Sequence, residues 1–285
     1  MVLSRGGAAF TWRPIMTTGT TMLKAQIEAA EAYEKLFVPA LFGEWASRTV
    51  TAARVRPGER VLDVACGTGV VAREASSLVG DGGSVSGLDA NAGMVEVARR
   101  LASPIDWRQG AAESLPFPDR TFDVVLCQFG LMFFTDRTLA LREMMRVLVP
   151  AGRLAVVVWD EIERAPAFAT LASLLERMVD RRAADALHAP FVLGNRSRLL
   201  ETFAAAHVAP VTVATHPGKA KFPSIGSLVE AELRGWLPVM GIELSEDQVR
   251  SLLAEAETAL RPFVGPGGEL IFDMSAHIAT VVAAG

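Results

Sequence analysis

Residues 61–69 read VLDVACGTG, in which an apolar run containing one carboxylate leads into two glycines separated by one residue. The apolar run predicts a short buried strand. Gly67 and Gly69 allow the backbone after it to turn sharply and to approach a ligand closely. A helical pattern of apolar residues follows over residues 70–78. The stretch therefore predicts a strand, a tight turn and a helix, which is the repeating unit of a parallel α/β sheet.

The same alternation continues further along the chain. More strands are predicted at residues 84–88, 105–109, 122–127 and 153–159, with helices at 91–101 and 136–148. Strands that alternate with helices specify a parallel sheet with right-handed crossovers and helices on both faces. The predicted fold class is therefore α/β, with a doubly wound, mostly parallel sheet.

Helical segments surround this core in the sequence. Residues 24–51 predict two helices separated near Pro39. After residue 159, helices are predicted at 165–187, 197–206, 224–238 and 245–260, and strands at 208–215 and 270–282. We interpret the additional helices as a cap over the edge of the sheet where the parallel strands end, because ligands bind there in such folds.

The predicted organisation has four parts. They are a flexible leader at 1–22, N-terminal cap helices at 23–56, a ligand-binding core at 57–160, and cap helices with the last two strands at 161–285. No internal repeat is apparent, and a single sheet is expected to run through the third and fourth parts.

The composition is that of an ordinary folded protein, since 51% of the 285 residues are hydrophobic and 21% are charged. The formal net charge of −4 provides no general attraction for phosphate backbones, so no nucleic-acid partner is expected. The two cysteines are too few for a disulfide framework. The sequence shows neither the apolar run of a signal peptide nor one long enough to span a membrane, so a cytoplasmic protein is expected.

Two acidic residues indicate the ligand. Asp89, at the end of the second predicted strand, could accept both hydroxyls of a ribose. Residues 67–72, GTGVVA, also satisfy the looser dinucleotide-binding pattern, so NAD must be considered. The pyrophosphate of NAD would be repelled by the Asp63 carboxylate, whereas S-adenosylmethionine would bring an ammonium group that this carboxylate attracts. Asp63 therefore favours S-adenosylmethionine.

Simpler interpretations of these two residues remain open. An aspartate at a strand end often only binds nearby backbone amides, which would account for Asp63. Asp89 could merely cap the helix that begins near Asn91. A glycine turn without any ligand is a third alternative.

The motifs that follow the glycine turn extend the interpretation to a family. Residues 61–69 resemble the first motif of the class I, seven-stranded, Rossmann-like methyltransferases that use S-adenosylmethionine. Residues 87–94, 109–117 and 146–154 are similar to later motifs of that family. The whole pattern is close to its ubiquinone/menaquinone-biosynthesis type, and the resemblance covers residues 61–159.

This resemblance implies a seven-stranded sheet with a helical cap, and S-adenosylmethionine as the cofactor. In the family, the acid of the second motif holds the ribose and the apolar residues after it flank the adenine. The cofactor-binding residues expected by this resemblance are Asp63, Ala65, Gly67, Thr68, Gly69, Asp89, Ala90, Met94, Ala111, Ala112, Glu113 and Gln128. No metal ion is expected, because no cluster of candidate ligands has suitable spacing.

The chain departs from the family pattern at two places. Ala111 stands where many relatives have Asp, so another group must contact the adenine amino group. Residues 150–152 read Pro-Ala-Gly where relatives usually have Pro-Gly-Gly, and we give this change little functional weight.

The acceptor site is less clearly indicated, because methyl transfer mainly requires alignment and desolvation of the acceptor. Met132 and Phe133 follow the fourth strand, and Tyr33 lies on a helix that in relatives covers the cofactor. These three are the expected acceptor contacts, and with Trp236 they favour an apolar or aromatic acceptor. Packing in the core explains each of them singly as well. His188, next to a predicted cap helix, is the candidate general base.

The sequence thus predicts a methyltransferase that uses S-adenosylmethionine to methylate a small, apolar or aromatic acceptor. One alternative is a partner protein that binds the cofactor without turnover. The other is an NAD-dependent oxidoreductase, which Asp63 and the later motifs disfavour. The motifs do not indicate which acceptor atom is methylated or how the chain assembles.

Overall fold

A computed structural model describes residues 19–284, so most of the predicted leader at 1–22 lies outside the described residues. Helix α1 begins at Gly19, which places the last four residues of the predicted leader in a helix instead. The strands are β1 (Arg60–Val64), β2 (Ser84–Asp89), β3 (Asp106–Gln109), β4 (Phe122–Gln128), β5 (Leu148–Trp159), β6 (Thr212–His216), β7 (Lys219–Phe222), β8 (Leu270–Asp273) and β9 (Ala276–Val282).

Seven of these strands form one sheet in the order β3-β2-β1-β4-β5-β9-β6. The first five are parallel to one another, and β9 runs antiparallel to both of its neighbours. The prediction of a mostly parallel, seven-stranded α/β sheet is therefore confirmed. Because β1, β2, β4 and β5 point the same way, their carboxyl ends meet at one edge, called here the carboxyl edge.

Helices account for most of the remaining chain. They are α1 (Gly19–Phe37), α2 (Gly43–Ala52), α3 (Val70–Val79), α4 (Ala92–Leu101), α5 (Arg137–Arg146), α6 (Pro166–Met178), α7 (Arg181–His188), α8 (Arg196–Ala205), α9 (Ile225–Glu230), α10 (Leu237–Val239) and α11 (Glu246–Ala259). Two π-helical turns, Val38–Phe42 and Ala231–Trp236, join α1 to α2 and α9 to α10. No helix in the described part of the chain combines the length and apolarity that crossing a membrane requires.

Alternation along the strands explains why both faces of the sheet are covered. Val61 belongs to one buried cluster, with residues of α2, α3 and α4, whereas Leu62 belongs to another, with residues of α5, α6 and α8. Successive strand residues point to opposite faces, so a strand that is apolar throughout buries both. The doubly wound arrangement follows from this pattern.

The structure corrects several predicted boundaries in the cap. Residues 165–187, predicted as one helix, form α6 and α7, because the Asp180 side chain accepts a hydrogen bond from the Ala183 amide and starts a new helix. The helix predicted at 224–238 contains a π-helical turn. The strand predicted at 208–215 begins only at Thr212, after Pro210, which has no N–H for a ladder.

The last predicted strand is also divided. Residues 270–282 form β8 and β9, and β8 pairs with β7 in a separate two-stranded sheet. Strand β7 has no counterpart among the strands predicted from the sequence. Strand β5 begins at Leu148 and not at residue 153, since Leu148 already pairs with Phe122 of β4. These corrections leave the carboxyl edge unchanged.

Candidate active site

The glycine turn after β1 has the strained backbone that its sequence predicts. Gly67 and Gly69 have φ values of 54° and 90°, in the left-handed region that favours glycine. A Cβ atom added to Gly69 would lie only 2.2 Å from the ring of Trp107. The ring of Trp107 therefore leaves no room for a side chain at this position. Ala65, just before the turn, also has a positive φ of 57°.

Asp89 connects the glycine turn to the end of β2. Its Oδ2 accepts a hydrogen bond from the Gly67 amide at 2.8 Å, and its Oδ1 accepts one from the Asn91 amide at 2.8 Å. The cap of α4 is the Asn91 side chain, which accepts from the amides of Gly93 and Met94. The hypothesis that Asp89 itself caps this helix is therefore wrong. Each carboxylate oxygen retains a lone pair with which it could accept a ribose hydroxyl.

Asp63 is the most unusual group at the carboxyl edge. Its side chain is 1% exposed, and its Oδ2 accepts a hydrogen bond from the Ala72 amide at 3.0 Å. Its Oδ1 is buried and has no hydrogen-bond partner among residues 19–284. Burial, assisted by the charge of Asp89, raises the pKa of Asp63 to about 8, against the opposing effect of the Ala72 amide and Arg73. A cation beside Oδ1 would satisfy this carboxylate.

Helix α1 covers the turn. The ring of Tyr33 lies 3.7 Å from the position that a Cβ on Gly67 would take. The neighbouring Glu34 accepts a hydrogen bond from the Thr68 hydroxyl and forms an ion pair with Arg73 at 2.8 Å. Burial, and then the charge of Asp89, raise the pKa of the Tyr33 hydroxyl well above its usual range. Tyr33, which is predicted to contact the acceptor, thus lies against the glycine turn.

The loops after β2 and β3 converge beside Asp89, as the adenine-side residues require. The Gln109 side chain donates to the Ala90 carbonyl at 3.1 Å, and the Gly110 amide donates to the Asp89 carbonyl at 3.0 Å. Ala112 is buried, and Ala111 lies beside it in the same loop. Adenine contacts by Ala90, Met94, Ala111 and Ala112 stay predictions.

Two polar residues predicted to bind the cofactor have partners within the protein. Glu113 Oε1 accepts from the Thr135 amide at 2.9 Å and so joins the loops after β3 and β4. Gln128 Oε1 accepts from the Thr49 hydroxyl at 2.7 Å, and its Nε2 donates to the Phe42 carbonyl at 3.2 Å. Gln128 therefore fastens α2 to the end of β4, and its contact with a cofactor stays a prediction.

An aromatic cluster that sequence reasoning missed lies at the ends of β4 and β5. The ring of Phe129 stacks on Trp159 at a centroid distance of 3.7 Å, and Trp45 packs edge-on against both. Phe42 lies 5.6 Å from Phe129 and stacks on Tyr33 at 5.3 Å. Phe129 and Trp159 could have been found from their places at the ends of strands, whereas Phe42 and Trp45 are brought there by packing.

The predicted acceptor residues after β4 take different environments. Met132 is buried, and Phe133 is half-exposed with its ring 5.4 Å from that of Trp236 in the cap. The His188 imidazole is exposed at the end of α7, and its role as the general base stays a prediction. His277 is buried with both ring nitrogens hydrogen-bonded, to the Gly194 carbonyl and the Thr215 hydroxyl, which agrees with a structural role.

The strand order, the glycine turn and the acids near the strand ends resemble the core of the class I, S-adenosylmethionine-dependent methyltransferases, and the comparisons with known proteins confirm this resemblance. Residues 35–173 match the model of the ubiE/COQ5 methyltransferase family. A similar curated relative is the ubiquinone/menaquinone biosynthesis C-methyltransferase UbiE of Xanthomonas oryzae pv. oryzae, 46% identical over 124 residues, which are 41% of this chain and 49% of the relative. The chain thus spans about half the length of the curated relatives it matches.

Solved structures show the same fold over more of the chain. The YcgJ protein from Bacillus subtilis is 23% identical, with a TM-score of 0.57 over 85% of this chain and 99% of that one. A Haemonchus contortus phosphoethanolamine N-methyltransferase, solved with phosphomonomethylethanolamine and S-adenosylhomocysteine, is 16% identical, with a TM-score of 0.56 over 91% of this chain and 58% of that one. At these identities the likeness concerns the fold alone.

Proposed function

We propose that this protein is a methyltransferase that uses S-adenosylmethionine to methylate a small, apolar or aromatic acceptor. The observation that carries the proposal is the pair of carboxylates at the glycine turn, the buried Asp63 and the half-buried Asp89, above all the unpartnered Oδ1 of Asp63. The match of residues 35–173 to a methyltransferase family supports it. A quinone-type acceptor is supported by the named activity of the UbiE relatives.

S-adenosylmethionine fits the residues present. Asp89 is placed to accept hydrogen bonds from the ribose hydroxyls of the cofactor. The Asp63 carboxylate would attract the cofactor's ammonium group, whereas it would repel the pyrophosphate of NAD. When bound, the cofactor would supply a methyl group on a positively charged sulfur, and this sulfur would leave as a neutral thioether when an acceptor atom bonds to the methyl carbon. We assign the adenine side to the loops around Ala90 and Ala112.

The remaining work of the protein is alignment and exclusion of water. Tyr33 and Glu34 hold α1 over the glycine turn, which shields the site from solvent. The stacked rings of Phe129 and Trp159 form part of the buried apolar core at the ends of β4 and β5. We place the apolar acceptor beside this cluster, where its burial would stabilise the complex and would keep water from the reacting atoms.

The direct test is a methyl-transfer assay with S-adenosylmethionine labelled in its methyl group, offered with quinols, phenols, amines and fatty acids. Transfer to at least one quinol or phenol is expected, and the Asp89→Ala variant serves as the inactive control. Binding of the cofactor without transfer to any class would favour the non-catalytic alternative. Thermal stabilisation by NADH but not by S-adenosylhomocysteine would contradict the proposal.

Cofactor affinity should depend on pH through Asp63. Its pKa of about 8 in the free protein means that the carboxyl is mostly protonated at pH 5 to 7 and must lose its proton to pair with an ammonium. The dissociation constant for S-adenosylmethionine should therefore fall by about tenfold for each unit by which the pH rises from 5 to 7. The α-amino group of the cofactor stays charged over this range. Titration calorimetry at several pH values measures this dependence.

The Asp63→Asn variant is the matched control, and its affinity should be lower but nearly independent of pH. The free protein gives a second check. Because the folded pKa of Asp63 lies above the unfolded value near 3.8, its contribution to stability is fully present below about pH 4 and is lost as the pH rises through about 8. Asp63→Asn should remove this loss. An equal pH dependence of affinity in both proteins would assign the proton to another group.

A further inference from the structure

A second buried polar atom without a partner lies near the carboxyl edge. Among the described side chains, the buried nitrogen and oxygen atoms that lack a hydrogen-bond partner are Asp63 Oδ1 and Arg137 Nε. The first belongs to the site described above, whereas the second does not. Arg137 begins α5, after the loop that follows β4, and its Nη2 donates to the Met132 carbonyl at 2.8 Å. A buried donor without an acceptor destabilises the fold, so Arg137 Nε indicates an acceptor from outside the chain.

No carboxylate in the described chain neutralises this guanidinium. Arg146, at the other end of α5, forms ion pairs with two acidic residues, whereas Arg137 forms none within the described chain. Asp136, next to it in the sequence, is instead the N-cap of α5 and accepts from an amide of that helix. Residues 1–21 and 285 include no Asp or Glu, so no acidic side chain outside the described ones can pair with Arg137.

A second guanidinium lies close to the first. Arg142 of α5 donates to the Ala205 carbonyl at the end of α8 at 3.0 Å, so these two helices pack side by side. Burial, and then the charge of Arg198 in the first turn of α8, lower the pKa of Arg137. Arg198 donates to the Val192 carbonyl at 3.3 Å and likewise has no ion pair within the described chain. Its side chain is exposed, so the arginine pair opens to solvent.

We infer that Arg137 and Arg198 together bind an oxyanion, a carboxylate or a phosphate group, beside the loop that follows β4. Two neighbouring guanidiniums repel each other, and an anion between them would offset this repulsion and give Arg137 Nε its missing acceptor. The planar fork of donors on a guanidinium matches the oxygens of both groups. Both arginines also lie at the start of a helix, where the helix dipole favours an anion. The inference goes beyond the proposed methyl transfer and does not depend on it.

The oxyanion can be free in solution or part of an organic ligand bound at the loop after β4, and the probes distinguish these sources. Inorganic phosphate represents the free anion. An organic ligand is represented by 2-naphthoate, with 2-naphthamide as its uncharged match. Competition between the two anions shows whether they share one site. Phosphate that binds more tightly than 2-naphthoate would assign the site to a free anion, and the reverse order would assign it to an organic ligand.

Titration calorimetry in a buffer without other oxyanions measures the affinities. At least one of the two anions should bind to the wild-type protein, and 2-naphthoate, if bound, should bind at least about tenfold more tightly than 2-naphthamide, because hydrogen bonds to a charged group are strong. Arg137→Gln and Arg198→Gln should each weaken anion binding by about tenfold or more. Neither substitution should change the affinity for 2-naphthamide.

Arg196→Gln is the matched control, since Arg196 is also exposed in the first turn of α8, and it should bind anions as the wild type does. Arg198→Gln should melt close to the wild type, because it changes an exposed side chain, and it keeps the test decisive if Arg137→Gln is unstable. The inference would be overturned if neither anion bound at millimolar concentration. Unchanged anion binding in Arg198→Gln, or an equal loss in Arg196→Gln, would also overturn it.

Discussion

Replacing Asp89 with alanine is expected to weaken S-adenosylmethionine binding by at least about a hundredfold and to abolish methyl transfer at ordinary cofactor concentrations. Hydrogen bonds to a charged group contribute about 1.5–3 kcal/mol each, and about 1.4 kcal/mol corresponds to a factor of ten. A carboxylate that accepts two ribose hydroxyls could account for more than this loss. The variant also loses the acceptor of the Gly67 amide, which loosens the glycine turn.

The variant should remain folded, with a melting temperature lowered by several degrees, because two backbone amides lose their partner at a cost of about 1–3 kcal/mol each. Asn91→Ala is the matched control, since it removes the cap of α4 two residues away. It should lose about 1 kcal/mol of stability but keep its cofactor affinity. Titration calorimetry and thermal melts separate the two effects. If Asp89→Ala bound S-adenosylmethionine as tightly as Asn91→Ala and the wild-type protein do, Asp89 would have only a structural role.

Much of the central sheet was predictable from the sequence, for a local reason. Strands β1 and β4 are mainly apolar runs buried on both faces, and each is followed by a turn, so a short window contains the whole signal. The elements after β5 were harder to predict. Strand β7 reads Lys-Ala-Lys-Phe, which has no strong strand signal, and it forms only by pairing with β8 almost fifty residues later.

The candidate site divides in the same way. Gly67 and Gly69 could be predicted because turn geometry restricts their residue type, and Asp63 and Asp89 because they end neighbouring parallel strands. Tertiary packing decided the rest. Met132 and Phe133 are neighbours in the chain, yet the first is buried and the second is half-exposed, a difference that their sequence positions do not reveal.

Gly69→Ala is expected to produce the largest loss of stability among single substitutions at the glycine turn, together with loss of cofactor binding. The residue has a φ of 90°, and a left-handed conformation costs a residue with a Cβ about 1–2 kcal/mol. The new Cβ would also lie 2.2 Å from the Trp107 ring, and relieving such overpacking costs about 1–3 kcal/mol more. A total destabilisation of about 2–5 kcal/mol is therefore expected, measured by denaturant unfolding.

Gly268→Ala separates the two causes of this loss. Gly268 also has a positive φ, of 88°, but an added Cβ would meet no atom within 4 Å. It should therefore show the backbone cost alone, about 1–2 kcal/mol, with unchanged binding of S-adenosylhomocysteine. The difference between the two variants measures how rigidly Trp107 supports the turn. If Gly69→Ala proved no less stable than Gly268→Ala and still bound the cofactor, the ring of Trp107 would have to yield, and the close packing of the turn would not be what fixes its shape.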